Sequence, residues 1–220
     1  DVNNLAANRL TRMVAQSKFN TFLLRCQYSD LGTGSCSGIH PNLRPSSYCY
    51  GLMQSNKDID FVNVQNLYQW FVDNGRYLQT DGVNLLNALG CSQNRGLINL
   101  LMDDILDGNY PPSLLTSIAL HDTSGRILFE YLNDNTQLVL YAPFDFSVYI
   151  RAMFTNWSTQ TLYNMGASYE VTTNWDLLSS TQQTQYRSGL AGVQANIDWM
   201  TANENKFVTW IQKNFGAVNV

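Results

Sequence analysis

Charge is what this sequence has least of. Asp, Glu, Lys and Arg make up 14% of the 220 residues, where a soluble domain carries about a quarter. The balance is acidic, with 13 Lys and Arg against 17 Asp and Glu, a net charge of −4 and a pI near 5.0. No basic run occurs, so the clustered cations that hold a phosphate backbone are absent and nucleic acid is excluded as a partner. Histidine is as scarce. His40 and His121 stand 81 positions apart, each with few carboxylates nearby, whereas a metal centre needs about three convergent ligands. His40 lies in a proline-flanked connector and is read as bonding to backbone. Neither histidine has the neighbourhood a serine or cysteine nucleophile requires. No apolar run reaches 18 residues, and no leader or lipidation motif is present. Also missing are a convincing alternating strand and a repeat of fixed period. Gly32-x-Gly34 lacks the third glycine and the preceding strand of a nucleotide motif.

What is present reads as helix. Apolar residues make up 45%, enough for a real core. Asn3 to Ala15 and Phe19 to Cys26 are apolar helical stretches, followed by a Gly/Ser/Thr loop from Tyr28 to Gly38. In Asp58 to Asn74, Phe61, Val64, Leu67, Tyr68 and Phe71 form a helical stripe, with Gly75 as its stop. Tyr77 to Leu89 and Asn94 to Leu106 follow. Pro111-Pro112 opens a helix through Leu120, and Ser124 to Leu132, Phe146 to Phe154 and Leu162 to Met165 are shorter runs. Asn174 to Ser180 is loop or short helix. Gln183 to Thr201 is a long helix, and Asn203 is expected to open a last one buried through Phe207, Trp210 and Ile211. The whole is therefore an all-α chain, expected as a single helical domain over residues 1–220.

One stretch organises the rest: Gly38-Ile-His-Pro-Asn-Leu-Arg-Pro-Ser-Ser-Tyr-Cys-Tyr-Gly51. Its prolines disfavour helix at the residues before them, so Ile39 to Arg44 is expected to be extended. Ser46 and Ser47 offer N-cap oxygens for a helix through Gln54. The run Ile39-His-Pro-Asn-Leu-Arg44 followed by Tyr48-Cys49 resembles the signature of the C-terminal domain of the aminopeptidase N family of zinc aminopeptidases. Asn87-Ala-Leu-Gly-Cys-Ser92 is similar to a second family step. Val193-Gln-Ala-Asn-Ile-Asp-Trp199 with Phe207-Val-Thr-Trp-Ile211 is similar to the closing helix pair. These pieces keep the family's order from about Leu23 to Phe215.

The resemblance implies a curved α-solenoid of antiparallel HEAT-like helix pairs. It also implies that the chain is a fragment, about the last two thirds of that domain. Its implied function is a non-catalytic cap enclosing the peptide cavity of a secreted or membrane-anchored enzyme. Its partners would be the catalytic domain of the same polypeptide and that domain's peptide substrates, with a homodimer left open. The family's His-Glu-x-x-His zinc motif is not in this sequence. Catalytic and metal residues are therefore expected to be none here, and zinc belongs to the parent. The alternative is a cell-surface receptor or binding module from a relative that has lost catalysis. The family pattern pairs Cys26 with Cys36 and Cys49 with Cys91. The second bridge closes a loop of about 43 residues, worth roughly 4 kcal/mol in the loop-entropy model. Four cysteines suit an extracellular or cell-surface location, and Asn156-Trp157-Ser158 is an N-glycosylation acceptor. One rival chemistry is visible. Asp103-Asp104-Ile-Leu-Asp107 has the spacing of an aspartate-rich magnesium–diphosphate motif. No second acidic motif or Arg/Lys pair accompanies it, so it reads as a solvated face opposite Leu97, Leu101 and Ile105.

Overall fold

In a computed structural model of the chain, residues 17–19, 39–55, 57–75 and 80–215 are described. They are all-helical: no strand occurs among them. Ten α-helices are numbered here: α1 (Arg44–Gln54), α2 (Asp58–Asp73), α3 (Thr80–Leu89), α4 (Arg95–Leu106), α5 (Leu114–Ala119), α6 (Asp122–Asp134), α7 (Thr136–Leu140), α8 (Phe146–Thr155), α9 (Gln160–Ala167) and α10 (Ser180–Phe215), with 3-10 turns at Pro41–Leu43, Ser168–Val171 and Thr173–Leu177. The chain forms two compact units, divided within α4 between Leu101 and Met102.

In the first unit α3 packs on both α1 and α2. The α2 stripe buries Phe61, Val64, Leu67, Tyr68 and Phe71, and α3 answers with Leu85, Leu86 and Leu89. Gly75, at φ +64°, ends α2 in the left-handed conformation that only glycine adopts without cost. Asn94 starts α4, its Oδ1 accepting from the amides of Gly96 and Leu97 at 2.9 and 3.3 Å. Phe19, fully buried, presses on α1 so closely that a Cβ at Gly51 would lie 2.2 Å from its ring.

The connector before α1 departs from the expected extended form. Pro41–Leu43 is a 3-10 turn, closed by Leu43 N–H donating to the His40 carbonyl at 2.8 Å. It runs straight into α1, which begins at Arg44 and carries Pro45 in its first turn. The missing N–H of a proline costs nothing there, because first-turn amides have no intrahelical partner. Ser47 is accordingly a buried residue inside the helix rather than its cap.

The second unit is built on aromatic packing. Phe154 lies 5.1 Å from Trp157 and 5.0 Å from Tyr186, and Tyr169 stacks on Tyr186 at 5.2 Å. The tyrosine hydroxyls are paired, as burial demands, whereas the buried Trp157 Nε1 has no hydrogen-bond partner among the described residues. Tyr186 Oη donates to the Gly166 carbonyl at 2.8 Å, Tyr149 Oη donates to that of Leu128 at 2.7 Å, and Tyr169 Oη meets Thr136 Oγ1 at 2.7 Å. Burial, more than any neighbouring charge, pushes the Tyr149 and Tyr186 phenols well above their usual range.

The closing helix pair is corrected. Ser180–Phe215 is one continuous helix of 36 residues. Asn203 does not open a new helix; its Nδ2 donates to the Trp199 carbonyl four residues back, at 2.8 Å. Phe207 and Trp210, expected in the core, are 58% and 54% exposed, and Trp199 is 57% exposed. The physical reason is that α10 spends its packing surface early. Tyr186, Leu190 and Val193 are buried, and among the described side chains nothing beyond Val193 on this helix is.

Candidate functional site

The residues weighed for chemistry are scattered. His40 is exposed, and its Nδ1 accepts from the Asn42 amide at 3.3 Å. His121 is half-buried at the start of α6, where its carbonyl accepts from the Gly125 amide at 2.8 Å. Asp103 and Asp104 lie on α4 and Asp107 just beyond it, and they do not share a partner: Asp103 accepts from Tyr131 Oη at 2.5 Å, while Asp104 accepts from the Asn109 amide group at 3.1 Å. The Tyr131 phenol is pushed up by burial first and by that bond to Asp103 second. These carboxylates serve helix ends and a tyrosine, with no shared ligand position.

Two constructions stand out. The first ties α1 to α3. Cys49 and Cys91 form a disulfide with a Cα–Cα separation of 5.2 Å, across 42 positions of sequence. On the same pair of helices Arg44 Nη1 makes an ion pair with Asp81, and its Nε donates to the Ile39 carbonyl at 3.1 Å. Beside them burial raises the Tyr48 phenol, with Asp81 adding to the rise and Arg44 opposing it. So the stretch from Ile39 to Cys49 is an anchor, joined to α3 by a covalent bond and a charge pair. Cys26 and Cys36 lie outside the described residues.

The second is a groove of about 680 Å³ between α8 and α10. Ser147, Arg151 and Thr155, spaced by four, line it from α8; Thr184, Ser188 and Asn196 line it from α10. Gly189 lets α10 approach Ile150 and Phe154 closely, while Gly192 leaves open space: a Cβ there would meet nothing within 4 Å. At the start of α8, Asp145 caps the helix by accepting from the Ser147 amide at 2.6 Å. The bonds to Ser147 hold the Asp145 carboxyl below its usual range, with Arg151 adding a smaller effect. Sequence reasoning missed this groove. Its signal was the run of small or polar residues at positions 184, 188, 192 and 196, one ridge of a helix. Asn156, the glycosylation candidate, is exposed at the C-cap of α8.

No protein-family model matches the chain. It is 54% identical over all 220 residues to a Caenorhabditis elegans protein named "Putative aminopeptidase-2". Two further relatives are aminopeptidase N of Oryctolagus cuniculus, 23% identical over 186 residues, and aminopeptidase N of Homo sapiens, 24% identical over 193. Each of these covers 80% of the chain. The chain matches the C-terminal part of these aminopeptidases. It spans 12% of the nematode relative's length and 18% of each mammalian one. The pieces that carry the likeness fall at the α1 anchor, at the end of α3 with Cys91, and along α10. The first two are structural ties; in the third, Val193 alone is buried among the described side chains. Among the described residues no helix is long and apolar enough to cross a membrane.

Proposed function

We propose that this chain is a non-catalytic cap segment of a secreted or membrane-anchored zinc aminopeptidase. In this reading it is about the last two thirds of the C-terminal domain and part of a HEAT-like stack. It encloses the cavity through which peptides reach the catalytic domain of the same polypeptide. The observation that carries it is the likeness over the whole chain to a small C-terminal share of aminopeptidases, joined to a sequence without His-Glu-x-x-His. The Cys49–Cys91 bridge supports passage through an oxidising compartment. Enclosure fits a chain whose polar groups are spent on caps and helix ties: it supplies walls and contacts, while zinc and the water it activates belong to the catalytic domain. Such a cap restricts access and can gate turnover by opening and closing.

The test uses the full polypeptide with protease sites engineered on either side of this segment. After excision, hydrolysis of small aminoacyl-anilides is retained and the preference for short peptides over protein N-termini is lost. The reading fails if anilide hydrolysis disappears while zinc content and circular dichroism show the catalytic domain intact.

A further inference from the structure

We propose that Asn156 carries an N-linked glycan whose first sugars lie in the groove between α8 and α10. The inference rests on the secretory placement argued above and adds to it a modification, its seat and the chemistry of that seat. Asn156-Trp157-Ser158 is the single Asn-x-Ser/Thr of the 220 residues. The structure presents it in a specific way. Trp157 is 1% exposed, held against Phe154 and Phe129 at 5.1 and 6.1 Å, so the middle residue pins the acceptor backbone. Asn156 itself is exposed where α8 ends.

The groove begins at the same place. Thr155, the neighbour of Asn156, is one of its walls, and Asn196 is the opposite wall. Asn196 Nδ2 donates to the carbonyls on both sides of Asn156, to Thr155 at 3.4 Å and to Trp157 at 2.9 Å. The acceptor backbone is therefore clamped to α10 at the end of the groove. A sugar attached to Asn156 starts within a side chain's length of it, since consecutive Cα atoms are 3.8 Å apart.

The lining suits a hydroxylated occupant. Ser147 and Ser188 offer hydroxyls that both donate and accept, Thr155 and Thr184, whose protons go to the Arg151 and Ser180 carbonyls, offer acceptor oxygens, Asn196 adds its amide oxygen, and Arg151 a fork of donors. The open space at Gly192 leaves room for a flat ring. The volume, about 680 Å³, is that of a ligand site and far above a crevice for a single water. Attachment draws on a lipid-diphosphate-linked oligosaccharide. The bond from Asn156 Nδ2 to the anomeric carbon forms as that carbon's bond to the diphosphate oxygen breaks. The lipid diphosphate leaves, and one amide proton goes with it.

The experiment takes the full polypeptide secreted from a eukaryotic host. Glycopeptide mass spectrometry reads occupancy at Asn156, and non-reducing peptide mapping reads the Cys49–Cys91 bridge in the same sample. Hydrogen exchange over 147–155 and 184–196 is then compared before and after an amidase removes the glycan. The expected result is an occupied Asn156 and a loss of protection in both segments on removal. Gly192→Trp, which fills the groove and leaves the acceptor untouched, keeps the glycan attached, speeds its enzymatic release and abolishes that difference. Ser158→Ala removes the modification and reproduces the deglycosylated exchange pattern. A bridged chain with a bare Asn156 overturns the proposal and leaves the secretory reading standing. Free thiols with a bare Asn156 overturn both. An occupied Asn156 with unchanged exchange overturns the seat in the groove.

Discussion

Two glycines three residues apart on α10 should respond to alanine with opposite signs. A Cβ on Gly189 would sit 2.6 Å from Phe154 Cδ2 and 2.8 Å from Ile150 Cγ2. Neither neighbour can retreat. Both are 2% exposed, and the Phe154 ring is wedged between Trp157 and Tyr186 at 5.1 and 5.0 Å. Overpacking of this kind costs roughly 1–3 kcal/mol. Against it stands the gain of replacing glycine by alanine inside a helix, about 1 kcal/mol. Gly192 collects the same gain with no opposing term, because its Cβ would point into open space. The propensity term is common to both variants, so the difference between them isolates the overpacking. At about 2–4 °C per kcal/mol for a chain of this size, Gly189→Ala should melt roughly 2–12 °C below Gly192→Ala. Gly192→Ala itself should melt at or above the parent. Thermal unfolding followed by circular dichroism at 222 nm measures both. Coincident melting curves, or a Gly189→Ala variant more stable than the parent, would refute the packing of α8 against α10.

Three further outcomes are expected. Replacing Cys49 and Cys91 together by serine releases a loop of about 43 residues, a loss of roughly 4 kcal/mol in the entropic model and a large share of the 5–15 kcal/mol typical of a domain; a denaturant melt with unchanged midpoint would count against the anchor. Tyr149→Phe deletes the fully buried bond to the Leu128 carbonyl and should cost about 0.5–1.5 kcal/mol by the same assay, with no change excluding a formed bond. Asp145 caps α8 with a carboxyl whose folded pKa lies below its unfolded one. Its contribution is therefore complete above the ordinary carboxylate range and lost as pH falls through the lowered value. The melting advantage of the parent over Asp145→Asn, present at neutral pH, should vanish in strong acid, and an advantage that grows on acidification would contradict the sign.

The sequence was most legible where periodicity alone decides the outcome. The spacing of Phe61, Val64, Leu67, Tyr68 and Phe71 marked both the helix and its buried face, because a stripe at that interval has one way to leave water. It was least legible at α10. Trp199, Phe207 and Trp210 continue an apolar pattern, but a pattern states which side chains share a face and nothing about whether another element covers them. Asn203 looked like a helix start because asparagine favours that position. Inside a helix its amide can instead bond back to a carbonyl four residues earlier, as it does to Trp199. The connector before α1 misled for a related reason: Pro41 and Pro45 are compatible with a turn and a helix's first residues as well as with extended chain. The groove was invisible because it is made by small residues on helices forty positions apart, and a sequence displays what side chains add, not the space they leave.

The central claim is that this chain supplies enclosure and no reacting group. It is tested most directly by purifying the 220-residue chain with Cys49–Cys91 closed and assaying release of N-terminal residues from aminoacyl-anilides, with and without a zinc chelator. The account predicts no release above that of a buffer control and no effect of the chelator. Chelator-sensitive release that persists through purification, and is lost on His40→Ala or His121→Ala, would contradict it.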